Sequence, residues 1–210
     1  WYPETDAVIE LGGEDAKIIF LSGTPEERMN SSCAGGTGSF IDQMAALLAV
    51  DLNTLDTLSL QHTCIYPIAS RCGVFAKTDI QPLINQGARK EDLAASIFQA
   101  VVDQTIAGLA QGRPITGHVL FLGGPLAFLQ GLRERFIETL RLDKRHAHFP
   151  DLAPYFVALG AAVYAESLSP RPFANIEAAL EAAAASSERP QGLEPLFRDE
   201  AEYEAFLRRH

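Results

Sequence analysis

Two β-rich runs on either side of a glycine-bearing turn constrain the fold of this chain most strongly. "AVIELGG" covers residues 7–13 and "AKIIFLSG" covers residues 16–23, with a Gly-Gly-Glu-Asp turn between the strands. This pattern predicts an antiparallel hairpin. Farther along, "HVLFL" at 118–122 predicts a buried strand that is closed by Gly-Gly and followed by a helix. The combination predicts an α/β domain.

Apolar residues at helical spacing predict the helices of this domain. A helix over 36–50 has Ser39 and Asp42 as a capping pair, and a helix over 73–87 is broken or bent near Pro82 and stopped by Gly87. The segment 90–112 predicts a helix that ends at a glycine. Its predicted buried stripe consists of Leu93, Ile97, Val101 and Thr105. The helix after residues 123–124 has a second predicted stripe, which consists of Leu129, Leu132, Phe136 and Leu140.

Two further segments differ in composition from the rest. "APYFVALGAAVYAE" predicts an alanine-rich helix in which Gly160 allows a close backbone approach. From Pro170 onward the chain is rich in Pro, Ala and Glu, with two exposed helices. We therefore predict a domain at residues 1–168 and a helical linker or docking arm toward a following domain at residues 169–210. The start at Trp1 instead of Met indicates a segment of a longer protein.

The charge balance argues against one class of partner. Lys and Arg number 17 against 27 Asp and Glu, which gives a formal net charge of −10. No segment gathers enough basic residues to follow a phosphate backbone, so we expect no nucleic-acid partner. No apolar run approaches the roughly 20 residues of a membrane span, and the first residues lack a secretory signal. We expect a cytoplasmic protein with no membrane partner.

Glycine turns are the first candidates for ligand binding. Gly12 and Gly13 let backbone N–H groups approach an anion, and Glu14 and Asp15 could hold a hydrated magnesium ion. The alternative for this segment is a hairpin turn with solvated acidic side chains. Both interpretations fit the sequence.

Two more glycine segments strengthen the case for an anion or nucleotide site. In "CAGGTG", Gly35, Gly36, Thr37 and Gly38 would present free N–H donors and a hydroxyl to a phosphate or another anion. No Lys follows, so the segment is not a Walker A loop. In "FLGGP", the turn at residues 123–124 could pass under a purine or a ribose, or could simply connect a strand to a helix.

Cysteines are the other candidates for chemistry. Cys33, Cys64 and Cys72 are an odd number without the spacing of a disulfide framework, so we expect reduced thiols or metal ligands. Cys33 and Cys72 each precede a predicted helix, whose dipole would stabilise a thiolate. The alternative is a pair of small buried apolar side chains, which is the commoner fate of cysteine.

Two kinds of metal site can be drawn with these cysteines. A zinc site would combine His62, Cys64 and Cys72 with His146 or His148, although no CxxC or HxxxH spacing supports it. An iron–sulfur cluster usually has four thiolate ligands, which two chains related by a two-fold axis could supply with two each. Cys64 would then be a bystander.

Five segments occur in an order that resembles one known family. Between residues 6 and 166 they read "VIELGGEDAKII", "MNSSCAGGTGSFIDQMAALL", "ASRCGVFAKTDI", "FLGGP" and "LGAAVYA". This order resembles the ATP-dependent activators of 2-hydroxyacyl-CoA dehydratases and the related ATPase subunits of benzoyl-CoA reductases. The cysteine–glycine motif with its second cysteine is specific to that family.

The resemblance implies a ribonuclease-H-like lobe of an actin-like or acetate-kinase-like ATPase, with a mixed sheet flanked by helices. It implies a homodimer that holds one [4Fe-4S] cluster between its two copies, with Cys33 and Cys72 as ligands. ATP hydrolysis would change the angle between the helices that flank the cluster, and an electron would pass to a dehydratase-type partner.

For the nucleotide, the resemblance implies ATP or ADP with Mg²⁺. Gly12, Gly13 and Asp15 would lie near its phosphates and magnesium, and Gly123 and Gly124 would lie near the adenosine.

The sequence departs from the family at several points. Family members begin with another lobe that carries an Asp-Gly-Ser-Thr phosphate motif, which these 210 residues lack. We therefore expect no appreciable ATP hydrolysis by the chain alone. "GGPLAF" replaces a segment that ends in Asn in short activators, and Lys77 replaces a common carboxylate, as in long multidomain members. The alternatives to a reductive activator are a non-redox assembly module and a cluster-free, kinase-like nucleotide-binding lobe.

Overall fold

The structure, a computed structural model, separates into two compact units, residues 1–163 and residues 164–210. The first unit contains the sheet, and the second is helical. The structure describes residues 2–30, 35–70, 73–170, 172–185 and 195–209.

Five strands form one mixed sheet in the order β3-β2-β1-β4-β5. The strands are β1 (Thr5–Leu11), β2 (Ala16–Phe20), β3 (Glu26–Met29), β4 (His118–Leu122) and β5 (Ala147–His148). Strand β2 pairs antiparallel with β1 and β3, whereas β4 is parallel to β1 and β5. The sheet is mixed because the chain leaves it after β3 and returns beside β1 through a long helical crossover. The predicted hairpin and the predicted strand at 118–122 are confirmed.

Helices make up most of the remaining described residues. The α-helices are α1 (Gly38–Leu47), α2 (Leu52–Ser59), α3 (Gly73–Asn85), α4 (Lys90–Thr105), α5 (Gly124–Phe128), α6 (Gln130–Leu140), α7 (Phe156–Glu166), α8 (Phe173–Ala185) and α9 (Glu200–Arg209). A π-helical turn, Ile106–Ala110, continues α4, and a 3₁₀ turn, Ala153–Tyr155, precedes α7.

Alternation along β1 separates two apolar clusters. Ile9 and Leu11 are fully buried in the main core, which contains the apolar faces of α1, α2, α4 and α6. Val8 belongs to a smaller cluster with Leu120 and Leu122. This is the period of two that a strand imposes on its side chains.

Helix α4 contributes many of the buried residues of the main core. Its predicted stripe of Leu93, Ile97, Val101 and Thr105 is buried throughout. With the π-helical turn it forms a 21-residue segment, Lys90–Ala110, that is long and apolar enough to cross a membrane, contrary to our expectation of no such run. About two thirds (67%) of the apolar stretch of this segment is buried inside the structure, so its apolar residues are those of a core helix.

Three helix predictions differ from the structure. Of the break or bend predicted near Pro82, the break is wrong, because helix α3 continues through this residue. One missing N–H removes a single bond, while Ile80 keeps the same turn on the core. Leu129 has extended backbone angles and separates α5 from α6. The close approach predicted at Gly160 is wrong, because a Cβ built there would meet no atom within 4 Å.

Candidate functional site

Three glycine-bearing turns meet around one cavity of about 970 Å³. They are the β1–β2 turn at Gly13, the start of α1 at Gly38 and the β4–α5 turn at Gly124. Strands β1 and β4 are parallel neighbours, so their carboxyl ends lie at the same edge of the sheet. Crevices at this edge are the usual ligand sites of α/β sheets.

Backbone hydrogen bonds fix the start of α1 on the hairpin. The N–H of Gly38 donates to the carbonyl of Gly12 (3.0 Å), and the N–H of Ser39 donates to the carbonyl of Gly13 (2.7 Å). The prediction that Gly38 presents a free N–H donor is therefore wrong. The N-cap residue of α1 is Thr37, so the predicted capping pair of Ser39 and Asp42 is wrong as well.

Steric limits explain two of the glycines around the cavity. A Cβ at Gly38 would lie 3.3 Å from the Gly12 carbonyl oxygen and 3.4 Å from Cγ of Pro125. Gly123 has a φ of +90°, and a Cβ there would lie 2.0 Å from the carbonyl oxygen of Leu11. Gly123 therefore lets the turn pack on the end of β1, and its neighbour Gly124 lines the cavity.

Other predicted site residues lie away from this cavity. Gly35 lines a second cavity of about 600 Å³ beside β3 and the π-helical turn. Gly36 has a φ of +79°, and a Cβ there would lie 2.8 Å from Cγ of Gln104. Thr37 is fully buried, so its hydroxyl is not presented to the cavity as predicted. The acidic side chain of the hairpin turn that lines the cavity is that of Glu14, and not that of Asp15.

Both polar and apolar side chains line the cavity. Glu14, Ser39 and Asp42 line it beside the hairpin, and Asp51 lines it at the start of α2. The Asp51 carboxylate caps α2 by accepting from the N–H of Thr54 (2.7 Å), and this hydrogen bond lowers the pKa of Asp51. The apolar residues that line the cavity are Ile41, Leu52, Pro125, Phe128 and Leu129.

The ionisable side chains that line the cavity are acidic, which affects the binding of an anion. Among the described residues that line it there is no Lys or Arg. A phosphate group would therefore meet negative side chains, unless a divalent cation lies between them. Carboxylates and phosphate oxygens are the ligands that Mg²⁺ prefers. The cavity thus suits a magnesium–phosphate complex better than a free anion.

Leu52, Asn53 and Phe128 also line the cavity, and they were not predicted as site residues. Asp51 before the segment 52–60 is an N-cap signal that could have revealed α2. No sequence signal distinguishes Phe128 from a core residue, because its exposure depends on the break between α5 and α6.

The two predicted cluster ligands, Cys33 and Cys72, lie outside the described residues. The helices that follow them do lie within the structure, and α3 begins at Gly73 against the first turn of α1. A Cβ at Gly73 would lie 3.5 Å from Cδ2 of Phe40. The N-termini of α1 and α3, which carry the positive ends of their dipoles, are therefore neighbours.

Side chains of α4 tie down the segment between α2 and α3. Oδ1 of the buried Asp92 accepts from the N–H of Thr63 (2.6 Å) and from the N–H of Cys64 (3.1 Å). These bonds, with that from Thr63 foremost, lower the pKa of Asp92. Oγ of Ser96 accepts from the N–H of Tyr66 (2.8 Å). The chain is thereby fixed on the core shortly before it reaches α3.

The zinc alternative finds no support in the described part of the chain. No group of three His, Cys, Asp or Glu side chains is arranged there to hold a metal ion. His62, Cys64 and the histidines at 146 and 148 therefore do not form one site, and Cys64 is exposed. The other cysteine of that prediction, Cys72, lies outside the described residues.

Comparison with known proteins assigns the lobe to a family. Residues 1–165 match the model of the BadF/BadG/BcrA/BcrD ATPase family. The (R)-2-hydroxyglutaryl-CoA dehydratase activating ATPase of Acidaminococcus fermentans is 37% identical over 166 residues, which are 78% of this chain and 62% of the relative. The activator of lactoyl-CoA dehydratase from Anaerotignum propionicum is 32% identical over 166 residues, which are 78% of this chain and 62% of that protein. The chain thus spans about three fifths of the length of these curated relatives.

Solved structures agree with this assignment. Component A of the A. fermentans dehydratase matches with a TM-score of 0.69 and 35% identity, covering 78% of this chain and 62% of that one. The activator of the 2-hydroxyisocaproyl-CoA dehydratase from Clostridium difficile, solved with bound ADPNP, matches with a TM-score of 0.69 and 28% identity, covering 81% and 66%. The predicted ribonuclease-H-like fold is confirmed, and the chain belongs to the BadF/BadG/BcrA/BcrD ATPase family.

Proposed function

We propose that this chain is the cluster-bearing lobe of an ATP-dependent reductive activator. The activator would pass one electron from a [4Fe-4S] cluster, shared by two copies of the chain, to a 2-hydroxyacyl-CoA dehydratase or a related CoA-substrate enzyme. The convergence of three glycine turns on one cavity is the observation that carries its nucleotide-dependent part. The activating role of the relatives supports it.

The cavity would bind ATP or ADP as its magnesium complex. The phosphates would lie toward Gly13 and Gly38, and the adenosine toward Gly124. Glu14 faces the cavity and, with Asp15 in the same turn, offers carboxylates to the cation. Because α1 is hydrogen-bonded to the carbonyls of this turn, a nucleotide that moves the turn would also move α1.

Cys33 and Cys72 would hold the cluster, whose chemistry when bound is to carry one electron. Their donor set fits a four-iron cluster only if two chains contribute two thiolates each. The adjoining N-termini of α1 and α3 favour negative charge at this place. Val74 and Phe75, in the first turn of α3, are 69% and 64% exposed, and a two-fold contact here would bury them.

ATP hydrolysis is proposed for the whole protein only. The chain covers 62% of the A. fermentans relative, and a second wall of the cleft is needed to position and stabilise a transferring phosphoryl group. We place the protein in the cytoplasm, where thiols stay reduced.

The test is anaerobic reconstitution followed by measurement of iron, acid-labile sulfide and mass in solution. We expect a dimer with about two irons per chain. Cys33→Ala and Cys72→Ala should each lose the iron and the brown colour. Cys64→Ala is the matched control and should keep both.

Two other results would favour the alternatives. A folded dimer without iron would favour the non-redox assembly module. An iron-free chain that still binds Mg-ADP would favour the cluster-free nucleotide-binding lobe.

A further inference from the structure

A large aromatic side chain lines the cavity. Phe128, the last residue of α5, is 77% exposed and lines the cavity together with Leu52 and Leu129. A single exposed phenylalanine is ordinary on a protein surface. Its place on the cavity wall and the rigidity of the backbone that carries it set this one apart.

The corner between α5 and α6 is fixed from the side of α5. The guanidinium of Arg133, in α6, donates to the carbonyls of Leu126 and Ala127. The same guanidinium lies 5.2 Å from the ring centroid of Phe149. The last carbonyls of α5 are therefore bonded within the protein directly before Phe128.

The corner is also fixed from the side of α6. Oδ2 of Asp56 accepts from the N–H of Gln130 (3.0 Å), and its Oδ1 accepts from the N–H of Gly131 (2.8 Å). A Cβ at Gly131 would lie 1.9 Å from Oγ of Ser59, so α6 begins in close contact with α2. Phe128 thus projects from a backbone that is held on both sides, which is how a protein preorganises a binding group.

The lining of the cavity indicates the kind of ligand that would cover this ring. Leu52 and Phe128 line the same cavity as the carboxylates of Glu14 and Asp42. A molecule with a flat apolar part and a magnesium-bound anionic part suits both kinds of side chain, as a nucleoside diphosphate does. The exposed ring of Phe128 would then contact the face of the base.

We propose that Phe128 stacks on the nucleobase of the nucleotide in this cavity and sets the preference for nucleotides over simple phosphates. The inference rests on the proposed nucleotide site. Removing an aromatic side chain that stacks on a base typically weakens binding by about tenfold or more. We therefore expect a loss of nucleotide affinity of about tenfold when the ring of Phe128 is removed.

The test compares Mg-ADP with magnesium pyrophosphate, which lacks the base, by calorimetric titration of the full chain. Phe128→Ala should weaken Mg-ADP binding about tenfold and leave pyrophosphate binding unchanged. Phe128→Trp should retain ADP affinity, and ADP should quench the fluorescence of the new indole. Phe173→Ala removes a ring of the same 77% exposure in α8 and should change neither affinity.

Two results would overturn the inference, and they differ in what else they overturn. If wild type binds Mg-ADP and Phe128→Ala binds it equally well, the stacking role is wrong while the nucleotide site stands. If wild type binds no Mg-ADP, the nucleotide site fails and the stacking role fails with it. A thermal melt of each variant separates either result from misfolding.

Discussion

The carboxylate of Asp143 organises the turn that leads into strand β5. Its Oδ1 accepts from the N–H of Arg145 (2.8 Å) and is bonded to Nδ1 of His146 (2.7 Å). These bonds, with that from the Arg145 backbone foremost, lower the pKa of Asp143 from 3.8 to about 2. Because the pKa is lower in the folded state than in the unfolded state, this stabilisation is present above about pH 4 and is lost as the pH falls toward 2.

Asp143→Asn tests this at the scale of one residue, since the amide keeps an oxygen acceptor but cannot ionise. We expect the variant to be less stable than wild type at pH 5, and the difference in unfolding free energy to shrink between pH 4 and pH 2. Urea unfolding at several pH values measures it. A difference that stays constant over this range would contradict the lowered pKa.

The glycines of the turns show how far the structural role of a single residue can be predicted from the sequence. The sequence marks Gly13, Gly36 and Gly123 equally, because each follows or precedes another glycine in a turn. The structure separates them: a Cβ at Gly13 would meet nothing within 4 Å, whereas Gly36 and Gly123 have positive φ and close neighbours. The difference lies in long-range contacts with Gln104 and Leu11, which spacing along the chain cannot reveal.

At the scale of elements, Arg28 joins the edge strand β3 to the π-helical turn. Its Nη1 donates to the carbonyls of Leu109 (3.1 Å) and Ala110, and its Nε donates to Oε1 of Glu26 (2.7 Å). The guanidinium also lies 5.5 Å from the ring centroid of Phe20. One side chain therefore satisfies the carbonyls at the end of a core helix.

We expect Arg28→Ala to lower the free energy of unfolding by about 2 kcal/mol, because two carbonyls lose a charged donor. Arg145→Ala is the control: its side chain is 85% exposed, and we expect a change within about 0.5 kcal/mol. Guanidinium unfolding of both variants checks this. Equal effects of the two substitutions would show that Arg28 does not join these elements.

Elements with a clear apolar pattern could be predicted, whereas two short strands could not. Strand β2 and helix α1 bury apolar residues at the expected period, and β1, β4 and α4 are apolar runs that are buried at most positions. Strand β3 reads Glu-Glu-Arg-Met, and its residues alternate between half-buried and exposed. Its sequence therefore has no apolar pattern that would predict its pairing with β2. Strand β5 has only two residues, Ala147 and His148, and exists through its pairing with β4.

At the scale of the whole molecule, the site depends on topology more than on any motif. The turns at residues 12–15 and 123–124 are more than 100 residues apart in sequence and meet only because β1 and β4 are parallel neighbours. The α/β class followed from the order of the elements. The part of the cavity lining that Phe128 and Leu52 supply did not, because it depends on the relative positions of α2, α5 and α6.

For the division of the chain we propose a lobe at residues 1–168 and an arm at residues 169–210. Both apolar clusters of the lobe end at or before Phe156. In the second unit, Phe197 packs on Tyr203 (5.3 Å) and Phe206 (5.4 Å), and α9 contains no buried residue.

A chain that ends at Leu168 should therefore unfold within about 2 °C of the full chain, with a smaller helical signal by circular dichroism. The midpoint temperature of unfolding would stay the same because the core of the lobe is complete. The helical signal would fall because α8 and α9 are absent. A midpoint that drops by more than about 5 °C would show that the arm stabilises the lobe, and residues 169–210 would then belong to the folded domain and not to a docking arm.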